Sequence, residues 1–173
     1  MLTNAQLYET EIKRLSMKIW YDPDFIYYFG GTCQSAITLP ETNKDQFCFV
    51  SLNSKQEVNG YISYFVDWEI KSAYGWQIIN FNKKKENNQE LVEFARDLHK
   101  AVSDCFEVYN MNKVSWFCYA DNPAIRGYRN YIKKHGGREC GYERDEILLL
   151  DGKIHDLVRF EILKSEYKKM KNF

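Results

Sequence analysis

Apolar residues recur at helical spacing in two long stretches of the chain, residues 3–20 and residues 90–109. In the first stretch the repeating positions are Tyr8, Ile12, Leu15 and Ile19. Thr3 and Gln6 have the spacing of a capping box, which places the start of this helix at the beginning of the stretch. In the second stretch the apolar side chains share one face and the charged side chains the other, as in an amphipathic helix that packs on a sheet.

Segments rich in β-branched and aromatic residues separate and follow these helices. Three of them, residues 47–52, 61–66 and 74–81, come in succession and predict neighbouring antiparallel strands. A fourth, residues 113–120, follows the second helix and has the same composition. The spacing of apolar residues therefore changes from that of a helix to that of strands, then back to a helix and again to a strand.

A shorter helix is predicted from Asn122 to Gly137. Asn is a good helix cap, and Pro123 suits the first helical position. Gly136 and Gly137 allow the left-handed backbone with which helices commonly end.

The last strands flank Asp151-Gly152, a dipeptide typical of a tight hairpin turn. A basic tail, residues 164–173, follows and is expected to be exposed. The order of elements is helix, three strands, helix, strand, helix and two strands, without repeats or linkers. It predicts an α/β or α+β fold in one domain, residues 1–173, with helices packed on a single sheet.

Composition narrows the function. Lys plus Arg and Asp plus Glu both number 24, so net charge favours neither nucleic acid nor an anionic membrane as a partner. No apolar run is long enough to span a membrane, and the first residues do not resemble a signal peptide. The 5 cysteines are odd in number and widely spaced, which indicates reduced thiols in a cytoplasmic protein. The 3 histidines fall in different segments, so no metal site is expected.

The turn before the second long helix has the layout of an anion-binding site. A strand, a polar loop and a helix N-terminus follow one another over residues 78–90, and free backbone amides at such a terminus attract phosphate. Its candidate ligand-binding residues are Lys83, Lys84, Lys85, Asn87 and Asn88. A solvated lysine-rich turn is the alternative interpretation.

Two tyrosines lie one turn apart on the short helix. Tyr128 shares an apolar stripe with Ile125 and Ile132, which predicts that it packs in the core. Tyr131 lies beside that stripe, where its phenol is able to donate a proton to a leaving thiolate of similar basicity. A purely structural role is the alternative for each tyrosine.

Asp67 and Glu69 lie between the second and third strands of the run. Either carboxylate is a candidate general base if it faces a cleft, and a charged turn is the alternative. The chain has no serine or cysteine in a nucleophile motif and no glycine-rich nucleotide loop.

The segment "NPAIRGYRNYIKKHGGRECGYERDEILLLDGKIHD" and the order of elements resemble the GNAT superfamily of acyl-CoA-dependent N-acyltransferases, usually acetyltransferases. The resemblance covers most of the chain, best from about residue 47 to residue 163. It is sharpest in the family motif Asn-x-x-Ala-x-x-x-Tyr-x-x-x-Gly-Phe and in the terminal hairpin. It implies a mixed, mostly antiparallel sheet flanked by helices.

The resemblance also implies that the strands at 74–82 and 113–120 splay apart and that acetyl-CoA, as co-substrate, fills the gap. Its pyrophosphate would lie over residues 83–88. Backbone contacts to the coenzyme would come from Ile78, Ile79, Asn80 and Phe81. The family's pyrophosphate loop normally contains glycine, whereas "NKKKENNQ" has none, so asparagines and lysines would replace close amide contacts.

The mechanism implied is direct transfer of the acetyl group to an amine. Water or Glu69 would deprotonate the amine, and amides of a bulged strand near Ile79 would polarise the thioester carbonyl. Asn122 matches the Asn of the motif. The general-acid tyrosine of the motif is best matched by Tyr131, although one extra residue separates Tyr131 from the glycine. Tyr128 is the alternative match.

Two other functions stay open at this stage. The missing loop glycines and the aromatic segment "IWYDPDFIYYF" also suit a non-catalytic GNAT-like domain that binds or regulates a protein partner. A second possibility is an enzyme that uses another acyl-CoA. The amine acceptor, small molecule or protein, is not identified, and the edges of the terminal hairpin suit a homodimer.

Overall fold

A seven-stranded sheet organises the protein in a computed structural model that describes residues 1–20, 22–28, 37–40, 44–82 and 88–171. The strands are Leu2–Asn4 (β1), Gln46–Leu52 (β2), Val58–Asp67 (β3), Ser72–Asn80 (β4), Lys113–Tyr119 (β5), Arg138–Leu148 (β6) and Ile154–Leu163 (β7). The α-helices are Glu9–Ile19 (α1), Asn88–Glu107 (α2), Ile125–His135 (α3) and Lys164–Lys171 (α4). Short 3₁₀ helices cover Ala5–Tyr8 and Pro23–Tyr28.

The strands lie in the order β1-β2-β3-β4-β5-β7-β6, and every adjacent pair except one is antiparallel. The exception is β4 with β5, which are joined by the crossover helix α2 and run parallel. The mixed, mostly antiparallel sheet flanked by helices is therefore confirmed. Its two halves meet at the parallel pair.

The N-terminal segment differs from the prediction. A helix was expected from residue 3, but Leu2–Asn4 instead pair with β2, and the regular α-helix begins at Glu9. The cap also differs, because the side chain of Asn4 accepts from the backbone NH of Gln6, at 2.9 Å. Pairing with an open sheet edge supplies the first residues with hydrogen bonds that a helix start would leave unmade.

The C-terminal region contains more structure than the pattern predicted. β6 begins at Arg138 because the segment after α3 returns along β7 as an edge strand. The tail expected to be exposed forms α4, which buries Tyr167 against Phe106 with ring centroids 4.7 Å apart. The hairpin turn is confirmed, with Gly152 in the left-handed region at φ 76°.

Apolar side chains cover both faces of the sheet. α2 and α4 pack on one face, where the largest buried residues include Tyr64, Phe106 and Phe160. α1 and the 3₁₀ helix that follows it pack on the other face, around Ile12 and Tyr61. Among the helices that the structure describes, none is both long enough and apolar enough to cross a membrane.

Candidate active site

The parallel strands β4 and β5 separate almost as soon as they meet. Ser72 pairs with Lys113 and Ala73 with Val114, and within the described ranges the two strands share no further pairs. The backbone of β4 beyond Ala73 therefore faces a gap where a neighbouring strand would normally lie. A cleft of about 920 Å³ opens there, which confirms the predicted splay.

A bulge in β4 lies at the mouth of this gap. Gly75 and Trp76 together lie opposite the single residue Tyr64 of β3. Gly75 has φ 62°, a left-handed conformation that glycine adopts without a Cβ clash. The bulge was expected near Ile79, and that position is wrong, because Ile79 pairs regularly with β3 and the left-handed residue comes four positions earlier.

Alternation along β4 divides the predicted coenzyme contacts between the two faces of the sheet. Ile78 and Asn80 line the cleft. Ile79 and Phe81 are buried in the cluster beneath α1. The side chains of these last two residues therefore do not line the cleft, and the backbone NH of Phe81 donates to the carbonyl of Asn59, at 3.0 Å.

Helices α2 and α3 close one side of the cleft. α2 contributes a stripe of apolar wall residues, Leu91, Phe94, Ala95, Leu98 and Val102. At the start of α3, Asn122 is buried and its side chain accepts from the backbone NH of Ala124, at 2.9 Å. Asn122 lies in the cleft wall, three residues before the first helical residue, Ile125.

The structure brings both tyrosines of α3 into the cleft wall. The ring of Tyr128 packs against Trp116 and Phe160, with centroid distances of 5.9 Å to each, as expected for a core residue. Tyr131 extends toward α2, and its hydroxyl lies 2.9 Å from Nδ1 of His99. Burial raises the pKa of Tyr131, so its phenol stays protonated at neutral pH.

Glu69 does not reach the cleft. It is exposed in the turn between β3 and β4, where the carboxylate of Asp67 accepts from the backbone NH groups of Glu69 and Ile70. The charged-turn interpretation of this pair therefore fits the geometry. Glu69 precedes the end of β4 that still pairs with β5, whereas the cleft opens farther along β4, beyond Ala73.

Part of the predicted anion site lies outside the described residues. This applies to Lys83, Lys84, Lys85 and Asn87. Asn88 is the first residue of α2, so the helix start lies at the end of this loop, as the pattern predicted.

The described wall of the cleft contains no Asp, Glu, Lys, Arg or His side chain. It is instead strongly aromatic and includes two tryptophans, Trp76 and Trp116. Both indole NH groups are buried without a hydrogen-bond partner among the described residues. Each tryptophan sits at an unremarkable strand position, so only the strand register could reveal that both border the gap.

A cluster of one histidine and two carboxylates lies at the end of the cleft that Tyr27 and Tyr119 line. His155 is buried between two carboxylates, with Nδ1 2.9 Å from Asp121 and Nε2 3.1 Å from Asp151. Burial opposes the charged imidazole, but hydrogen bonds to both carboxylates outweigh it and raise the pKa of His155. The cluster links β5, the hairpin and the 3₁₀ helix that carries Tyr27, whose ring meets His155 edge-on.

Solved structures of spermidine N-acetyltransferases are among those with a similar fold. The spermidine N-acetyltransferase from Vibrio cholerae in complex with CoA and spermine is 22% identical, with a TM-score of 0.76 and coverage of 97% of both chains. Its complex with manganese ions is 24% identical, with a TM-score of 0.60 and coverage of 73% of this chain and 70% of that one. The dodecameric form in an intermediate state is 24% identical, with a TM-score of 0.59 and coverage of 72% and 68%.

The chain has the GNAT fold. No protein-family model and no curated protein sequence matches the chain. The GNAT resemblance of the α3 segment and the hairpin is thus supported by the full course of the backbone. At these identities the likeness establishes the fold, and the chemistry has to be argued from the cleft.

Proposed function

We propose that this protein is an N-acetyltransferase that moves an acetyl group from acetyl-CoA to a primary amine by direct attack. The single observation that carries the proposal is the gap between β4 and β5, which lies beside a strand bulge and two tyrosines in a GNAT fold. Spermidine N-acetyltransferases have a similar fold, and one of their structures is a complex with CoA and spermine.

The cleft residues fit the pantetheine arm of the coenzyme. β4 offers an edge that is not paired with β5 from residue 74 to residue 80, which suits an extended chain of amide groups. The wall is mostly apolar, and the rings of Trp76 and Trp116 form part of it.

Direct transfer is favoured over a covalent acyl-enzyme. Cys118 is the cysteine in the described wall, and burial raises the pKa of its thiol to about 12. A thiol with this pKa is almost entirely protonated at neutral pH and is a poor nucleophile. The amine itself is therefore the attacking group.

The bulge at Gly75 and Trp76 supplies the groups that polarise the thioester carbonyl. A bulge turns backbone NH groups out of the regular ladder, and donors aimed at a developing oxyanion stabilise the transition state. This assignment replaces Ile79 itself, which lies in a regular ladder pair with Tyr61 of β3.

One tyrosine of α3 protonates the departing thiolate, and the geometry favours Tyr128. The motif spaces its Ala and Tyr four residues apart, as are Ala124 and Tyr128 here. Tyr131, the closer match by its distance from the glycine, has its hydroxyl directed to His99 on α2. Asn122 positions the start of α3 by bonding the backbone of Ala124.

The side of the cleft away from α2 is where the acceptor would bind. Its described wall combines aromatic rings, among them Phe65, Phe117 and Tyr119, with the neutral polar side chains of Gln46 and Ser63. Such a wall suits an amine with an aromatic or aliphatic body better than one with several charged groups. The aromatic segment before it, which also suited a partner interface, has Phe25 buried and Trp20 half-buried.

A thermal-shift experiment tests the first step. At 100 times its Kd a ligand adds about 2.7 kcal/mol of stability, so acetyl-CoA at millimolar concentration should raise Tm by several degrees. Release of free thiol in the presence of a panel of primary amines then measures transfer. A Tm unchanged by acetyl-CoA would refute the proposal, whereas binding without any thiol release would favour the non-catalytic module.

A further inference from the structure

Tyr131 is the first of a series of polar side chains that leads from the cleft wall to the protein surface. In order, the members are Tyr131, His99, Ser103, Tyr167 and Glu107. The successive contacts measure 2.9, 3.4, 3.1 and 2.5 Å. They pass from α3 to α2, then to α4 and back to α2, so the three helices build the series together.

The charge at the outer end fixes the direction of every hydrogen bond. A hydrogen bond from Lys171, at 2.6 Å, lowers the pKa of Glu107, so this half-exposed carboxylate is ionised and only accepts. Tyr167 must therefore donate to Glu107. Since a phenol has one proton, the oxygen of Tyr167 accepts from the hydroxyl of Ser103.

The same argument continues inward to the cleft. The hydroxyl of Ser103 already donates its hydrogen bond to Tyr167. Its oxygen is therefore the acceptor for the Nε2–H of His99. The imidazole is neutral, because burial and then the nearby Lys134 lower the pKa of His99. Its Nδ1 is then a bare acceptor for the phenol of Tyr131.

Several charged and titratable groups face the His99 ring from the helices packed around it. They are Tyr131, Lys134 and His135 on α3, Tyr167 and Lys171 on α4, and Glu107 on α2, in addition to the neutral hydroxyl of Ser103. The two lysines oppose a lasting positive charge on the ring, whereas Glu107 favours it. A positive charge on the His99 ring is therefore disfavoured on balance.

We propose that this series of hydrogen bonds carries the proton released by the acceptor amine from the cleft to Glu107 and then to water. The proposal rests on the proposed acetyl transfer. It gives Tyr131 a role distinct from that of Tyr128, because the proton of Tyr131 points away from the cleft and toward His99.

The protons balance as follows. An ammonium substrate loses two protons as its nitrogen forms the C–N bond and the C–S bond breaks. One proton ends on the sulfur of coenzyme A, and the other has to leave the cleft. Tyr131 takes this second proton as its own passes to Nδ1 of His99, and Nε2 releases one through Ser103 and Tyr167 to Glu107.

The tautomer of His99 is the first test and needs no coenzyme. Nitrogen NMR of the histidine-labelled protein near pH 7 should show a neutral His99 ring with its proton on Nε2 and with Nδ1 hydrogen-bonded. Tyr131→Phe should remove the hydrogen bond to Nδ1. A proton on Nδ1 would overturn the proposal, because Tyr131 would then have no acceptor in His99.

The second test separates proton transfer from a structural role. Tyr167→Phe keeps the ring that stacks on Phe106 but removes the hydroxyl between Ser103 and Glu107. Single-turnover transfer at saturating acetyl-CoA should slow by at least about tenfold at pH 7. At a pH above the pKa of the amine, the substrate binds as a neutral amine and has only one proton to lose. There the rate of the variant should approach that of the unchanged protein.

The controls distinguish the possible failures. Ser103→Ala should reproduce the pH-dependent loss, and Lys100→Gln, on the same helix but outside the series, should leave the rate unchanged. Acetyl-CoA affinity, measured by calorimetry, should be the same for all variants. An equal loss at every pH, or no loss, would refute the proton path alone, whereas an unchanged protein that neither binds acetyl-CoA nor transfers acetate would refute the proposed function.

Discussion

A Cβ atom added to Gly75 would lie 2.9 Å from Cδ2 of Phe65, across the bulge that separates β3 from β4. Gly75 also has φ 62°, a conformation that other residues adopt only with strain. The bulge and the glycine therefore depend on each other. Phe65 and Gly75 both line the cleft.

Gly75→Ala should lower the free energy of unfolding by about 1–2 kcal/mol, which is the usual cost of a left-handed alanine. It should also reduce acetyl transfer, because the bulge would shift to relieve the contact with Phe65. Urea unfolding and thiol release measure the two effects. Gly141→Ala is the matched control, since its Cβ meets Arg159 at an ordinary 3.6 Å. Equal stability of the two variants would contradict the role given to the bulge.

Tyr128→Phe should slow single-turnover transfer by about a hundredfold at every pH at which the amine is neutral, because the thiolate would depart without a proton donor. The Kd for acetyl-CoA should stay the same, since the ring and its contact with Trp116 are retained. Tyr142→Phe, on the exposed edge strand β6, is the control and should keep full activity. A full rate in Tyr128→Phe would return the acid role to Tyr131.

Patterns within single elements were enough to predict most of the fold. The amphipathic period of α2, the β-rich runs of β2 to β5 and the Asp151-Gly152 turn are local signals, and each appears in the structure with bounds that differ by a few residues. β1 and α4 were missed because each is short. What stabilises them is distant: Leu2 pairs with Ser51, and Tyr167 packs on Phe106.

The candidate site was harder to predict, because it is built from contacts between elements. The sequence indicated two tyrosines on α3 and a splay between two strands. It did not indicate the position of the bulge, which depends on the register of β4 against β3. Nor did it indicate that His99 contacts Tyr131. The two residues are 32 positions apart in the sequence, and the packing of α3 on α2 brings them together.

An apolar primary amine should be a better acceptor than a polyamine. The described cleft wall has no carboxylate for a second or third ammonium group, whereas Phe65 and Phe117 offer aromatic contacts. Phenethylamine and spermine, compared by kcat/KM for thiol release, measure the preference, and we expect at least about a tenfold advantage for the aromatic amine. Phe117→Ala should reduce that advantage, and Phe65→Ala should act in the same direction. A higher kcat/KM for spermine would contradict this assignment of the acceptor side.

His135 should make the folded protein sensitive to acid. Burial, then the neighbouring His99 and Lys134, lower the pKa of His135 to about 4. In the unfolded chain the same group titrates near its ordinary pKa of about 6.5, so the unfolded state binds more protons between about pH 6.5 and pH 4. The free energy of unfolding should therefore fall as the pH drops through this window.

His135→Gln cannot be protonated, so its free energy of unfolding should fall by about 1 kcal/mol less over the same pH range. This figure is smaller than the full pKa shift of His135 implies, because the ring is partly exposed and solvent screens its charge. Urea unfolding at intervals between pH 7 and pH 4 measures the difference, and parallel curves for the two proteins would show that His135 titrates normally in the fold.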